Sequence, residues 1–354
     1  MDVTIQEATR RYEAWLRAQI PVVEADLRLK HARMAKNAFV FLRGTFYRWV
    51  ELWPAVCPRF ADAPRVLAVG DVHVENFGTW RDVEGRLVWG INDVDEACTL
   101  PYTNDLVRLA TSALLATEVQ HFSVSGRDAC DAILDGYRSS LRRGGRPVVV
   151  EERPRWLRDI ALNQLRDPAR FWTRLQSLPP GRARVPRALL SAMCPREARI
   201  ARVVRRVAGV GSLGRPRFVA LALWGGALVA REAKAWVPPA GAPTDTRGAT
   251  ATKLLNRAVR VRDPFFVIRD GWVVRRLSPD CTRIEVSDLP RRRDEAKLLR
   301  AMGWETANLH LASRHRQVLA HVRGRGARWL ERAAKDMARA TTDDWSAWRK
   351  SQRA

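Results

Sequence analysis

The chain has 354 residues, of which 46% are hydrophobic and 28% charged, so it is long enough and apolar enough to bury a large core in two lobes. This composition excludes a disordered protein, and the longest apolar run, residues 218–230, is too short to cross a bilayer. The formal net charge is +24, but only seven of the 62 basic residues are lysines. That skew favours compositional drift toward arginine over a nucleic-acid-binding surface, although a positive field attracts nucleotides and adheres weakly and non-specifically to nucleic acid.

The N-terminal part, residues 1–200, is predicted to be a helical lobe. Thr4 and Glu7 have the spacing of a capping box, and helical periodicity continues from there to about residue 37 with a break at Pro21. Short strands are predicted at 65–69 and 86–92, each directly before a polar segment. Further helices are predicted at 39–52, 104–120, 126–142, 152–177 and 187–206.

Residues 201–291 have the pattern of a small β-rich lobe. The β-like runs 215–223 and 227–236 are joined by Gly225 and Gly226, which is typical of a hairpin. A loop at 237–248, a helix at 249–260 and a second strand pair on either side of Asp270 and Gly271 complete a small antiparallel sheet. Residues 292–354 return to helix, so the predicted class is α+β with the helical lobe first.

The cysteines and the N-terminus indicate the compartment. The five cysteines are scattered without zinc-ligand spacing, and the first residues lack the apolar segment of a signal peptide. We therefore expect reduced, buried thiols and a cytoplasmic protein without a membrane segment. The oligomeric state is left open by the sequence.

Two polar segments in the first lobe have the residue types needed for phosphoryl transfer. The stretch GDVHVENF (70–77) places Asp71 and Asn76 five residues apart in a loop, and NDVDE (92–96) follows the next strand. Such chemistry uses one carboxylate to orient or deprotonate a hydroxyl, with an amide oxygen and a second carboxylate holding magnesium. We predict that Asp71 is catalytic and that Asn76 and Asp93 are metal ligands.

Three neighbouring residues are assigned supporting roles. Asp95 or Glu96 is expected to supply a second metal contact. His73 is expected to shape the loop through a backbone hydrogen bond more than to act chemically. Without nearby partners it is also a poor zinc ligand.

Residues 209–214 (GVGSLG) match the GxGxxG pattern. A strand-like sequence follows, which argues against a dinucleotide fold, and the Gly-Lys-Ser/Thr of a P-loop is absent. A glycine loop between antiparallel strands, then a hairpin and a lysine about twenty residues on, is the kinase arrangement, and Lys234 fits that position. Lys234 is expected to pair with nucleotide phosphates, with Arg231 as the rival cation. The residues expected to cover the phosphates are Gly209, Gly211, Ser212 and Gly214.

The order of these motifs is the reverse of that in a kinase, because the Asp71 loop precedes the glycine loop by about 140 residues. Either the chain is a circularly permuted kinase-like fold, or one of the two matches is accidental. Residues 301–313 (AMGWETANLHLAS) favour permutation, since they resemble the helix with a Leu-His pair that lies between the small lobe and the catalytic loop in aminoglycoside and choline kinases.

The sequence also resembles known families. GDVHVENFG resembles the catalytic loop of aminoglycoside phosphotransferases, and NDVDEA resembles their metal-binding segment. More closely, residues 33–315 resemble a bacterial family catalogued as domain of unknown function 2252. Five motifs occur in the same order as in that family: FLRG (41–44), GDVHVENFG (70–78), NDVDE (92–96), DLVRL (105–109) and GVGSLG (209–214).

The resemblance implies a kinase-like fold with ATP and Mg²⁺ as cofactors and a small-molecule hydroxyl acceptor. It also implies that Asp105 braces the catalytic loop. The residues alone also allow a second role for Asp105, as the cap of its own helix. Arg43 and Arg108 can serve either anion binding or structure.

The chain departs from the kinase pattern at two positions. Val69 stands two residues before Asp71, where kinases often have His, and the predicted helix 249–260 has no Glu to pair with Lys234. Glu232 and Glu285 are the candidate substitutes. The alternatives to a phosphotransferase are a nucleotide-binding pseudokinase, a nucleotidyltransferase and a basic nucleic-acid-binding protein.

Overall fold

The chain begins with five helices that lead into the first polar segment. The computed structural model describes residues 3–120, 124–152, 155–163, 165–181, 189–190, 193–283, 295–313 and 315–352. The first helix starts at a capping box, in which the Thr4 hydroxyl accepts the Glu7 N–H at 3.3 Å and the Glu7 carboxylate accepts the Thr4 N–H. The five helices are α1 (Ile5–Gln19), α2 (Glu24–Met34), α3 (Ala38–Gly44), α4 (Phe46–Val56) and α5 (Pro58–Ala61).

Two small antiparallel sheets carry the polar segments. In one sheet β1 (Arg65–Ala68) pairs with β4 (Cys98–Pro101). The other contains β2 (Phe77–Arg81), β3 (Leu87–Ile91) and β5 (Val148–Val149). Residues 69–76 connect β1 to β2 and residues 92–97 connect β3 to β4. Because β2 pairs with β3, the two connections lie side by side, and the Asn92 N–H donates to the Asn76 carbonyl at 2.9 Å.

Long helices form the main core behind these sheets. At one crossing the helices approach so closely that glycine is required: a Cβ on Gly303 would lie 2.0 Å from the Ile133 carbonyl oxygen, and one on Gly136 would lie 1.8 Å from that of Arg300. The contact brings the C-terminal end of the helix that contains Gly303, with His310, toward the loop at residues 69–76. These helices are α6 (Tyr102–Gln120) and α7 (Gly126–Arg143), then, after the second lobe, α11 (Glu295–His310), α12 (His315–Arg323) and α13 (Trp329–Ser351).

A five-stranded antiparallel sheet follows in the chain, in the order β6-β7-β8-β10-β9. The glycine loop, residues 209–214, joins its first two strands. Asp270 and Gly271, both at positive φ, form the two-residue turn between the last two, as a type I′ hairpin requires. The elements are β6 (Arg199–Arg205), β7 (Arg217–Trp224), β8 (Ala227–Ala235), α10 (Ala249–Arg257), β9 (Val267–Arg269) and β10 (Trp272–Leu277).

The mixed α/β class with antiparallel sheets agrees with the sequence prediction, but several boundaries were wrong. Residues 199–205 form strand β6 rather than the end of a helix 187–206. Of the rest of that predicted helix, residues 189, 190 and 193 are helical, residues 194–198 are not, and residues 187, 188, 191 and 192 lie outside the described residues. RIARVVR has apolar positions compatible with both structures, and pairing with β7 decides between them.

Two predicted helices are divided in the structure. The helix expected at 152–177 is two, α8 (Arg155–Asn163) and α9 (Pro168–Gln176), because Pro168 begins a new helix behind the Asp167 cap. The helix expected at 39–52 is likewise broken at Thr45 into α3 and α4.

The cysteine thiols are unpaired: Cys57, Cys98 and Cys130 are buried, and Cys194 and Cys281 are partly so. Within the described ranges, no helix combines the length and the apolar character needed to cross a membrane.

Candidate functional site between the glycine loop and the Asp71 loop

The glycine loop lies over the loop that carries Asp71, and a cavity of about 80 Å³ separates them. The approach is closest at Gly211, where a Cβ would lie 3.0 Å from the Arg43 carbonyl oxygen and 3.7 Å from Asp71 Oδ2. Gly209 and Gly214 both have positive φ, which favours glycine. The cavity is lined on the side of the glycine loop by Gly209, Gly211 and Ser212, and on the side of the two polar loops by Asp71, His73, Asn76, Asp93, Asp95 and Glu96.

Asp71 is held by a buried arginine. Arg108 Nε donates to Asp71 Oδ1 at 2.9 Å, and a second nitrogen of the same guanidinium also donates to that oxygen. The guanidinium is completely buried, lies 4.9 Å from the Phe46 and Trp49 rings and donates to the Leu42 carbonyl. Arg108 therefore orients Asp71, and the other carboxylate oxygen remains directed toward the glycine loop.

Asp105 braces the backbone just before Asp71. Its carboxylate accepts the N–H groups of Val69 at 2.7 Å and Gly70 at 3.0 Å. His310 Nε2 lies 3.0 Å from the same carboxylate, and His310 Nδ1 lies 2.8 Å from the Tyr137 hydroxyl. The Leu-His pair at the end of α11 thus reaches the base of the loop at residues 69–76.

Asn76 joins the two polar loops. Its side-chain oxygen accepts the Asp93 N–H at 2.9 Å, and its nitrogen donates to the carbonyls of Asp71 at 3.1 Å and Asp93 at 2.9 Å. The amide oxygen keeps one lone pair free for a metal ion.

Asp93 and Asp95 share the ammonium group of Lys234. Lys234 Nζ lies 3.1 Å from Asp93 Oδ2 and also forms an ion pair with Asp95 Oδ2. Burial alone would raise the pKa of Asp93, but Lys234, a hydrogen bond from Asp95 and Arg275 hold it well below the usual value. Burial and the charge of Asp93 instead raise the pKa of Asp95 to about 6.

This carboxylate pair suits a divalent cation that is completed by other ligands. In the part of the chain that the structure describes, no three His, Cys, Asp or Glu side chains are grouped as a metal site. Magnesium, however, is commonly held by one or two carboxylates plus substrate phosphates and water. Asp95 Oδ1 is buried with no hydrogen-bond partner, the Asp93 side chain is 43% exposed, and the Lys234 ammonium already places positive charge between them. The donor set therefore fits Mg²⁺.

His73 and Arg43 have structural contacts at the edge of the cavity. His73 Nδ1 accepts the Glu75 N–H at 3.2 Å, which shapes the loop. Burial, together with Arg43 and Arg108, lowers the pKa of His73 well below its usual value. Arg43 forms an ion pair with Glu75 and lies over the Phe39 ring.

Three cationic residues of the cavity were missed by the sequence analysis: Lys30, Arg215 and Arg283. Arg215 binds Asp95 at 3.5 Å and Glu96 at 3.1 Å, while Glu96 also accepts the Ala240 N–H. Lys30 on α2 is only 2% exposed, and its ammonium group donates to the Gly211 carbonyl at 3.3 Å. Burial and Arg215 lower the pKa of Lys30 to about 8. The rarity of lysine, which singled out Lys234, is a signal that applies equally to Lys30.

Two predictions about strand β8 need correction. Arg231 stacks on the Phe265 ring at 4.1 Å, because strand alternation directs it away from the face of Lys234. Neither cation lines the cavity beneath the glycine loop, but Lys234 reaches its edge through Asp93 and Asp95. Glu232 shares the face of Lys234 but forms no ion pair with it. Three arginines from neighbouring strands surround Glu232 instead and hold its pKa far below normal against the effect of burial: Arg206, Arg217 and Arg275. The other candidate substitute, Glu285, lies outside the described residues.

Residues 22–165 match the family described as an uncharacterized protein conserved in bacteria (DUF2252). The matched region contains Asp71, Asn76, Asp93 and Asp105 and ends before the glycine loop. It supports the resemblance to this bacterial family over that part of the chain. No curated protein and no solved structure matches the chain.

Proposed function

We propose that the protein is an ATP- and Mg²⁺-dependent phosphotransferase with a circularly permuted kinase-like fold, acting on the hydroxyl group of a small molecule. One observation carries the proposal: a single cavity joins Asp71, Asn76 and Asp93 to a glycine loop that lies about 140 residues away in sequence. Two accidental motif matches have no reason to meet in space. Lys234, on the third strand of the glycine-loop sheet, meets Asp93 as well.

Each residue then has a defined task. Asp71 orients or deprotonates the acceptor hydroxyl, while Arg108 and Asp105 keep its carboxylate and backbone in position. Mg²⁺, held by Asp93, Asp95 and the Asn76 amide oxygen, would neutralise charge on the phosphates. Lys234 exchanges one carboxylate contact for a phosphate oxygen, and the N–H groups of the glycine loop face the same phosphates.

The cavity beneath the glycine loop is sized for a phosphoryl group, since about 80 Å³ is far smaller than a typical nucleotide site. The rest of a nucleotide must therefore occupy neighbouring space or lift the loop. Lys30, bound to the Gly211 carbonyl, is the contact that such lifting breaks.

Calorimetric titration of ATP with and without Mg²⁺ tests the assignment. Asp93→Asn should abolish Mg²⁺-dependent binding, because a carboxylate carries the charge that the metal needs. Asp71→Asn should keep nucleotide binding and lose ATP turnover, measured as basal hydrolysis. Asp336→Asn, on the exposed side of α13, is the matched control and should behave like the parent. If Asp93→Asn binds Mg·ATP as tightly as the parent, the metal assignment is wrong.

The same titrations separate the alternatives. A nucleotide-binding pseudokinase is favoured by the double hydrogen bond from Arg108 to Asp71, which engages the proposed base. It predicts Mg·ATP binding in the parent with no turnover. A nucleotidyltransferase would release pyrophosphate instead of ADP, and a nucleic-acid-binding protein would bind RNA with a steep salt dependence that does not involve Asp93.

A further inference from the structure

A larger cavity, of about 670 Å³, adjoins the glycine loop at Gly209 and is not lined by Asp71. Helix α9 forms one wall, the end of β6 and residues 206–209 form a second, and β10 with Arg283 forms a third. We call it the arginine cavity. Its volume is within the range of small-molecule sites, whereas nucleic acids bind to extended surfaces.

The walls of the arginine cavity carry far more positive charge than the chain as a whole. Among the described residues, eight arginines and two aspartates line it, while the whole chain has 62 basic and 38 acidic residues. Compositional drift toward arginine explains a high count everywhere, but it does not explain the local shortage of acidic partners. The excess of arginine over acidic residues is therefore a local property of this cavity.

Some of these arginines are neutralised and others are not. Arg206 and Arg275 share the single carboxylate of Glu232, and Arg205 pairs with Asp26. On α9, by contrast, Arg170 and Arg174 have no acidic partner among the described residues, nor does Arg166 just before it. Burial and the nearby charges of Arg206, Arg174 and Arg275 lower the pKa of Arg166. The like charges repel one another, and an anion between them would relieve that repulsion.

The uncompensated arginines also form an ordered row. Arg170 and Arg174 are four residues apart on α9, so they follow one side of that helix, and Arg166, just before the helix, lines the same cavity. The planar guanidinium group matches phosphate oxygens with two parallel hydrogen bonds, which makes arginine well suited to clustered phosphates.

The arginine cavity adjoins the smaller cavity beside Asp71, and Gly209 and Arg283 line both. A ligand in the arginine cavity would therefore lie next to the site beneath the glycine loop.

We propose that the arginine cavity binds the phosphate groups of a multiply phosphorylated small molecule. Those phosphates belong either to the nucleotide donor or to an acceptor that is already phosphorylated. Binding itself does not depend on phosphoryl transfer, because none of the proposed catalytic or metal-binding carboxylates lines this cavity; only the choice between donor and acceptor rests on the proposed function.

The test uses inorganic tripolyphosphate as the probe, titrated calorimetrically into the full chain in EDTA-containing buffer at fixed ionic strength. We expect the double variant Arg170→Gln/Arg174→Gln to bind it at least tenfold more weakly than the parent. The matched control is Arg332→Gln/Arg339→Gln, which removes the same net charge from α13, where the two arginines are exposed like Arg170 and Arg174 but do not line the cavity. It should change binding less than twofold. Equal weakening in the two double variants, or no binding by the parent, overturns the proposal.

Three further arms assign the ligand. Asp93→Asn should not weaken tripolyphosphate binding in EDTA, because it removes a negative charge near Arg275, so failure of the phosphotransferase assignment and failure of this site are distinguishable. If tripolyphosphate and Mg·ATP compete for binding, the phosphates that bind in the arginine cavity are those of the nucleotide donor. Simultaneous binding of Mg·ATP and fructose 1,6-bisphosphate, with only the latter weakened by the α9 variant, assigns them to the acceptor. If a 20-nucleotide single-stranded RNA, and not tripolyphosphate, depends on Arg170 and Arg174, the cavity is part of a nucleic-acid surface and the proposal is wrong.

Discussion

Replacing Asp105 with alanine tests how the loop that carries Asp71 is held in place. The Asp105 carboxylate is completely buried and contacts the Val69 N–H, the Gly70 N–H and His310 Nε2 at 2.7, 3.0 and 3.0 Å. Alanine leaves these groups buried without an acceptor, at about 1–3 kcal/mol for each. Partial relaxation reduces the sum, so we expect Asp105→Ala to lower the free energy of unfolding by about 3 to 6 kcal/mol.

Urea denaturation followed by tryptophan fluorescence measures this loss, with attention to whether the denaturant slope changes. Asp135→Ala is the control. Asp135 pairs with Arg300 on the surface, where the two side chains are 55% and 47% exposed, so its loss should cost less than about 1 kcal/mol. If Asp105→Ala costs no more than Asp135→Ala, the bracing contacts do not stabilise the loop and the reasoning fails.

Two further predictions concern strand β8 and helix α11. Lys234→Ala should weaken Mg·ATP binding at least tenfold, about 1.4 kcal/mol or more, whereas Arg231→Ala, which stacks on Phe265, should have little effect; calorimetry showing the reverse pattern would move the phosphate contact to Arg231. Burial raises the pKa of Glu305 from 4.5 to about 7. Between these two pH values the folded chain keeps the Glu305 proton and the unfolded chain loses it. The free energy of unfolding therefore falls as the pH rises from about 4.5 to about 7. The Glu305→Gln side chain stays neutral, so the thermal unfolding temperature of this variant should fall less than that of the parent between pH 5 and 8. Parallel curves of unfolding temperature against pH for the parent and the variant would contradict the assignment.

Local elements were determined by the sequence alone where the signal spans only a few neighbouring residues. The capping box at Thr4, the helices at 104–120 and 126–142, and the two hairpins of the second lobe were predicted within a few residues of their observed bounds. Strand alternation likewise separated Lys234 from Arg231 before any packing was known. Composition and spacing also identified Asp71, Asn76 and Asp93 as neighbours in one region, although their chemical roles stay predictions.

Partner choice was decided only by the tertiary structure. Strand alternation placed Glu232 and Lys234 on one face, but it could not reveal that arginines from β7, β10 and the end of β6 surround Glu232 while Lys234 meets Asp93 and Asp95. For the same reason the sequence could not predict three further features: the contact of Arg108 with Asp71, the position of Lys30 under the glycine loop and the arginines that face β6 and β10. In a chain with so many arginines, sequence spacing cannot tell a solvated cation from one that binds a specific anion. The neighbours of each side chain and its distance to the next carboxylate make that distinction, and both arise only when distant segments pack together.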